Sequence, residues 1–278
     1  MNTLQVGIRL HDMKKTNLID RFRLAKEQGF SCIHLASKLI YSEFNISSDG
    51  LTPGLASYIK KALNKYDLDI AVYGCYLNLA NPNKLQLDNI ISEYKANIRF
   101  ASYLGCNVVG TETGAPNEEY QFTPECHTET ALSYFLQNLK TIVNYAQSYR
   151  ITIAIEPVWK HIVYNPQITR FVLKSINADN LKIIFDPVNM LSIENYTYQE
   201  NLFKEMIALN GNDIIVLHCK DFFIDKNNII AIAPGVSKNL DYKYILNWQK
   251  KYKPYLQATI ENSTPENAVN ARLYLESF

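Results

Sequence analysis

One unit recurs along the chain: an amphipathic segment, a polar or glycine-containing break, then a short apolar run. The runs are "LQVGIRL" (4–10), "CIHLA" (32–36), "IAVYGCYL" (70–77), "NVVGTE" (107–112), "TIAIE" (152–156), "KIIFD" (182–186), "DIIVLH" (213–218) and "QATIE" (257–261). Most are continuous β-branched or apolar stretches rather than strict alternations, as in parallel strands covered on both faces. Between them, 17–28, 87–104 and 129–149 repeat apolar residues at helical spacing; Leu18, Phe22 and Ala25 share one face of the first. Thr52-Pro53, Asn165-Pro166 and Thr264-Pro265 each set a capping residue before a proline suited to a first helical turn, and Gly29 and Gly105 are stop signals. Eight strands alternating with eight helices, the last near Phe278, predict an α/β fold: a closed (β/α)8 TIM barrel. A doubly wound open sheet is the runner-up, but no GxGxxG or P-loop is present to anchor a nucleotide.

With 278 residues, 47% of them hydrophobic, the chain can bury a sizeable core as one unit. No linker or low-complexity stretch interrupts the pattern, so residues 1–278 read as a single domain. The formal net charge is +1, without a basic block, which argues against nucleic acid as a partner. The start "MNTLQVGIRLHDMKK" lacks a signal peptide's layout, and no apolar stretch is long enough to span a bilayer. Cys32, Cys75, Cys106, Cys126 and Cys219 are scattered without a CxxC pair, which reads as buried, reduced thiols in a cytoplasmic protein.

In such barrels the chemistry lies at the carboxyl ends of the strands. The first ends in Arg9, His11 and Asp12, the fourth in Glu112, and the fifth to eighth in Glu156, Asp186, His218 and Glu261. Glu156 poses the problem most sharply, because an apolar run that reads as a buried strand ends in a carboxylate followed by Pro157. Desolvating an unpaired carboxylate costs several kcal/mol. Adjacent strand ends lie close together, so Glu156, Asp186, His218 and Glu261 can converge on one point. Unpaired they would repel and protonate; around one divalent cation they are mutually stabilised. Oxygen-rich ligation with one nitrogen suits Mn²⁺ or Mg²⁺ best, and Co²⁺ or Zn²⁺ also fit. Taken singly, each has a plainer reading as a cap, a turn former or a hydrogen-bonded histidine. Lys220, two residues past His218, faces the same way in extended chain and could bind a substrate oxygen or phosphate, or else pair with Asp221 at the rim.

The glutamate after strand five, "DP" after strand six, His218-Cys-Lys220-Asp221 after strand seven and "IEN" around Glu261 resemble the xylose isomerase-like TIM-barrel superfamily; "GCYLNLANP" (74–82) does too. That superfamily holds sugar and sugar-phosphate isomerases, ketose 3-epimerases, inosose dehydratase and endonuclease IV. The resemblance implies that Glu156, Asp186, His218 and Glu261 are metal ligands and that Glu156 and Glu261 are also the catalytic acid/base pair. It implies a metal-dependent isomerase or epimerase of a small sugar, sugar phosphate or polyol ketone, working by proton transfer through an enediolate. Glu112, Asn189, Lys220 and His11 are the candidate substrate contacts. The partner is a small carbohydrate, and family members often form dimers or tetramers. Departures bear on this: Asn189 stands where the family often has histidine, and Ile162 where the ketose 3-epimerases carry a second glutamate. An inosose-dehydratase-like lyase and a non-catalytic sugar-binding barrel are the alternatives. His34 reads as a core histidine, His127 as a helix-start residue, Trp248 as packing, and Tyr76, Trp159 and His161 as residues that either stack on a sugar or pack.

Overall fold

The computed structural model describes residues 4–278; residues 1–3, part of the stretch read for a leader, lie outside them. Eight parallel strands close a barrel: β1 (Gln5–Arg9), β2 (Cys32–Ala36), β3 (Asp69–Gly74), β4 (Val108–Glu112), β5 (Thr152–Glu156), β6 (Leu181–Phe185), β7 (Ile214–Cys219) and β10 (Gln257–Ile260), which pairs back onto β1. The α-helices are α1 (Leu18–Glu27), α2 (Ser37–Phe44), α3 (Pro53–Lys65), α4 (Lys84–Leu104), α5 (Glu129–Gln147), α6 (Pro166–Ile176), α7 (Gln199–Asn210), α8 (Lys243–Tyr252) and α9 (Ala268–Glu276). No helix among the described residues is long and apolar enough to cross a membrane.

The closed barrel and all eight expected strands are present. Asn17, Thr52 and Asn165 accept main-chain N–H bonds at the starts of α1, α3 and α6, and Gly29 and Gly105 take the left-handed conformation after α1 and α4.

The sequence reading needs correction at four places. The strand expected over 70–77 stops at Gly74, because the Tyr94 hydroxyl of α4 takes over the backbone of Leu77, accepting from its N–H at 3.2 Å and donating to its carbonyl at 2.9 Å. Thr264-Pro265 forms a turn whose Thr264 amide is held by the Asn267 side chain, and α9 begins at Ala268. An extra helix, α2, follows β2 directly, giving nine rather than eight among the described residues. After β7 the chain forms an antiparallel hairpin, β8 (Asp221–Asp225) with β9 (Asn228–Ile232), which the strand list lacked.

The period-two alternation of strands divides each barrel strand between core and interior. Phe185, Leu217 and Ile260 belong to the main core, Phe185 meeting Phe203 of α7 edge-on. Val72, Ala154, Ile184 and Val216, from β3, β5, β6 and β7, form a separate small cluster. Gly110 of β4 adjoins it: a Cβ there would stand 2.6 Å from Val72 Cγ2 and 2.7 Å from Ile184 Cδ1. Two residues further on in this register lie Gly74, Glu112, Glu156, Asp186 and His218, so the packing that fills the barrel also aims these residues at its mouth. Gly110→Ala should therefore force Val72 and Ile184 apart and cost about 1–3 kcal/mol. Thermal unfolding should show a fall of about 2–4 °C per kcal/mol; an unchanged midpoint would contradict this packing.

Candidate active site

The four residues of the sequence reading meet at His218, in two groups that share it rather than in one. His218 is fully buried, its Nδ1 lying 3.1 Å from Glu156 Oε2 and 3.3 Å from Glu261 Oε1. Ligating atoms of Glu156, Asp186 and His218 lie within 4.8 Å of one another, and so do those of His34, His218 and Glu261. Asp186 divides its carboxylate. Oδ1 accepts from the Val188 and Asn189 amides at 2.9 and 3.0 Å, which closes the Asp-Pro turn, while Oδ2 faces the centre. The turn-forming reading and the ligand reading of Asp186 thus hold together, one oxygen each.

Two cations lie among these carboxylates. Lys220 Nζ is 2.8 Å from Asp186 Oδ2 and 3.0 Å from Glu261 Oε2, so the rim pairing with Asp221 does not form. Arg9 donates to Glu261 Oε2 at 2.8 Å and grips Asp12 through Nε and Nη2 at 2.9 and 3.0 Å. Asn189 ties two members together: its Nδ2 donates to Glu156 Oε1 at 2.6 Å, and its Oδ1 accepts from Lys220 at 3.2 Å.

Electrostatics follow from that geometry. Burial pushes Glu261 towards its neutral form, but His218, Lys220 and Arg9 outweigh it and hold its pKa well below the ordinary value. Glu156 is lowered the same way, burial being overcome by His218 and Lys220. Asp186 is raised, burial prevailing over Lys220. His218 is raised: burial opposes its charge, and Glu261 and Glu156 overcome that. Glu112, chiefly through burial and then the Glu156 charge, is pushed up to about 7.

The donor set fits a divalent ion. A fully buried imidazole ordinarily finds hydrogen-bond partners, yet Nε2 of His218 has none, and Nδ1 meets only the flanking carboxylates of Glu156 and Glu261. One nitrogen and three carboxylates around such a ring are a ligand set for Mn²⁺, Mg²⁺, Co²⁺ or Zn²⁺. Lys220 lies against two of those carboxylates, so a metal and its ammonium group would share them.

A cavity of about 380 Å³ opens above, within the range of small-molecule sites. All four expected substrate contacts, Glu112, Asn189, Lys220 and His11, line it. Glu112 is the register partner of Glu156 and accepts from the Tyr120 hydroxyl at 3.2 Å. His161 stacks on Tyr120 with ring centroids 5.2 Å apart, its Nδ1 3.8 Å from Glu112. Burial pushes His11 down to about 3, so it is neutral, and its Nδ1 has no partner.

His34 is the buried, hydrogen-bonded histidine within β2 that the sequence reading expected, but it faces the cavity rather than the core. It lines the cavity, its Nδ1 3.2 Å from Glu261 Oε1 and its Nε2 3.3 Å from the Tyr76 hydroxyl, and its ring stacks on His218 at 5.1 Å. Gly74 makes room for that contact, since a Cβ there would meet His34 Nε2 at 2.5 Å and Tyr76 Cε2 at 2.6 Å. The signal was strand register: His34 is the β-bridge partner of Arg9 and lies two residues from Cys32 and Ala36. Tyr76 belongs to the cavity, whereas Trp159 packs on Phe122 and His127, and Trp248 packs against the core. His127 lies in the turn before α5, stacked on Tyr164 and bonded to the Trp159 carbonyl. Ile162 is buried in the core. All five cysteines are buried and free, and burial raises the Cys219 thiol, so it is no metal-ready thiolate.

The family model described as xylose isomerase-like TIM barrel matches residues 22–251, and the chain belongs to that family. No curated protein matches it in sequence. Its structure is similar to 3-keto-D-glucoside 4-epimerase YcjR from E. coli, at 13% identity and a TM-score of 0.76 over 99% of this chain and 100% of that one. It is also similar to AsbF from Bacillus anthracis, a probable 3-DHS dehydratase (13% identity, TM-score 0.75, 99% of each chain). A third likeness is to the IolI protein solved with a zinc atom (18% identity, TM-score 0.70, 98% of this chain and 95% of that one).

Ligation requires neutral His218, whose raised pKa favours the protonated form. The metal-free protein therefore gains stability from His218 below its unfolded pKa and loses it as pH rises through the folded value. Metal must displace that proton, so Mn²⁺ affinity should climb about tenfold per pH unit below the folded pKa and level off above it. Calorimetry in buffers of different ionisation enthalpy should register the released proton. A pH-independent affinity without proton release would contradict this assignment of His218.

Proposed function

We propose that the chain is a divalent-metal-dependent isomerase or epimerase of a small sugar or polyol ketone, moving a proton next to the carbonyl through an enediolate. The observation that carries this reading is the set of Glu156, Asp186 and Glu261 around a fully buried His218, whose Nδ1 meets only carboxylates and whose Nε2 has no partner. When bound there by these four residues, a divalent ion supplies Lewis-acid stabilisation of negative charge on the substrate's oxygens.

Glu156 and Glu261 both approach His218, and neighbouring cations favour the ionised form of each. An ionised carboxylate in a desolvated site is a competent base. In an isomerisation one glutamate takes the proton from carbon and, now protonated, returns it to the neighbouring carbon, whereas in an epimerisation its counterpart first takes up a proton from solvent and delivers it to the opposite face. Asn189 fixes Glu156 through a direct hydrogen bond, and Arg9 and His34 fix Glu261, so neither base has to reorganise when substrate arrives. Lys220 and neutral His11 are donors at the cavity wall for substrate oxygens. Glu112, half-protonated near pH 7, can accept from or donate to a hydroxyl. The structural likeness to an epimerase supports the reading as an analogy of fold.

The test is deuterium exchange at carbon, in D₂O, across a panel of ketoses and polyol ketones with the metal-loaded protein. Exchange without mass loss fits the isomerase or epimerase; a product lighter by one water indicates the lyase; binding without exchange indicates a sugar-binding barrel. Glu261→Gln should lower exchange by about 10²–10⁴-fold while keeping the circular dichroism spectrum of the wild type. Undiminished exchange in that variant would sink the assignment.

A further inference from the structure

The reading above leaves the charge of the substrate open, and the way the mouth of the barrel engages its own positive groups bears on it. Lys220 Nζ is ion-paired with Asp186 Oδ2 at 2.8 Å and Glu261 Oε2 at 3.0 Å and donates a hydrogen bond to Asn189 Oδ1 at 3.2 Å. Arg9 meets Asp12 through Nε and Nη2, Glu261 through Nη1, and Asn262 through Nη2 at 3.3 Å. The other lysine of the cavity wall, Lys38, stands exposed at the rim on α2. Facing these groups are Glu93 and Glu112, two further carboxyls on the same wall.

The main-chain donors are engaged as well. In barrels of this kind phosphate is commonly gripped by backbone amides of the loops after the last two strands. Here the Asp221 carboxylate, 1% exposed, fills such a nest. Its Oδ2 accepts from the amides of Ser237 and Lys238 at 3.0 and 2.6 Å. Its Oδ1 accepts from Phe222, Asn239 and Leu240 at 2.8, 3.2 and 3.2 Å. These amides are thus taken up by the protein's own carboxylate and are not free to hold an external anion.

We infer that the cavity takes an uncharged polyhydroxylated carbonyl compound, and that phosphate esters and carboxylate-bearing sugars are not its substrates. This rests on the isomerase or epimerase reading and narrows it to a substrate class. Sugar hydroxyls are donors that Glu93 and Glu112 can accept. A phosphate would lie against those carboxylates with Arg9 and Lys220 already paired, leaving only the solvent-exposed Lys38 to meet its charge, too little to offset its lost hydration.

The experiment uses the full chain loaded with Mn²⁺ in phosphate-free buffer, offered matched pairs: D-fructose and D-fructose 6-phosphate, D-tagatose and D-tagatose 6-phosphate, D-ribulose and D-ribulose 5-phosphate. Exchange from D₂O is read by mass spectrometry, and inorganic phosphate and D-fructose 6-phosphate are titrated calorimetrically in parallel. Exchange with a free ketose, slowed by at least about tenfold in its phosphate partner, is the expected result. Faster exchange of a phosphate ester overturns the inference and leaves the isomerase or epimerase reading standing. If no member of the panel exchanges, that reading fails for these ketoses, and the titrations judge the charge inference alone. No saturable binding of either phosphate upholds it; a Kd below about 1 mM overturns it.

Discussion

Three carboxylates brought together in the buried mouth of a barrel are the constraint on which the rest of the site depends. Glu156, Asp186 and Glu261 cannot all stay ionised there without compensating positive charge, since each desolvated carboxylate costs several kcal/mol. Compensation comes from three directions: Arg9 from β1, Lys220 just past β7, and His218 between two of the carboxylates, whose charged form they favour. Asn189, Asp12 and His34 exist in this site as partners of those groups. In the proposed reading, a divalent ion would take the place of a proton on His218 in this charge-balanced centre. The Asn189 amide bridges Glu156 and Lys220.

The fold and the quartet were legible for the same reason. Each of the last four barrel strands is a short apolar run that must end where the barrel opens, so the first polar residue in the inward register marks the mouth. Glu156 after Ala154, Asp186 after Ile184 and His218 after Val216 follow this rule, and Ala154, Ile184 and Val216 lie in the interior cluster. The rule fails for His34, because an imidazole inside a fully buried run reads as core until the register is known; its pairing with Arg9 supplies that register.

Two other features escaped for different physical reasons. The hairpin 221–232 carried a local signal, a Lys226-Asn227 pair between apolar runs. Both residues take positive φ, 43° and 65°, as a tight two-residue hairpin requires. Asp221 was read as a partner for its neighbour Lys220. Its actual partners are mostly amides some sixteen to nineteen residues downstream, a contact that no local spacing announces. Long-range choices among equally charged acceptors, such as Lys220 turning to Asp186 and Glu261, are set by the closed barrel rather than by the local sequence.

The most direct test of the metal centre is elemental analysis of protein purified without chelator, on the wild type and on His218→Ala, with Mg²⁺ and Mn²⁺ titration of any empty preparation. The account predicts about one divalent ion per wild-type chain and its loss in the variant. Failure of the wild type to bind a divalent ion even on titration, or full retention by His218→Ala, would contradict it.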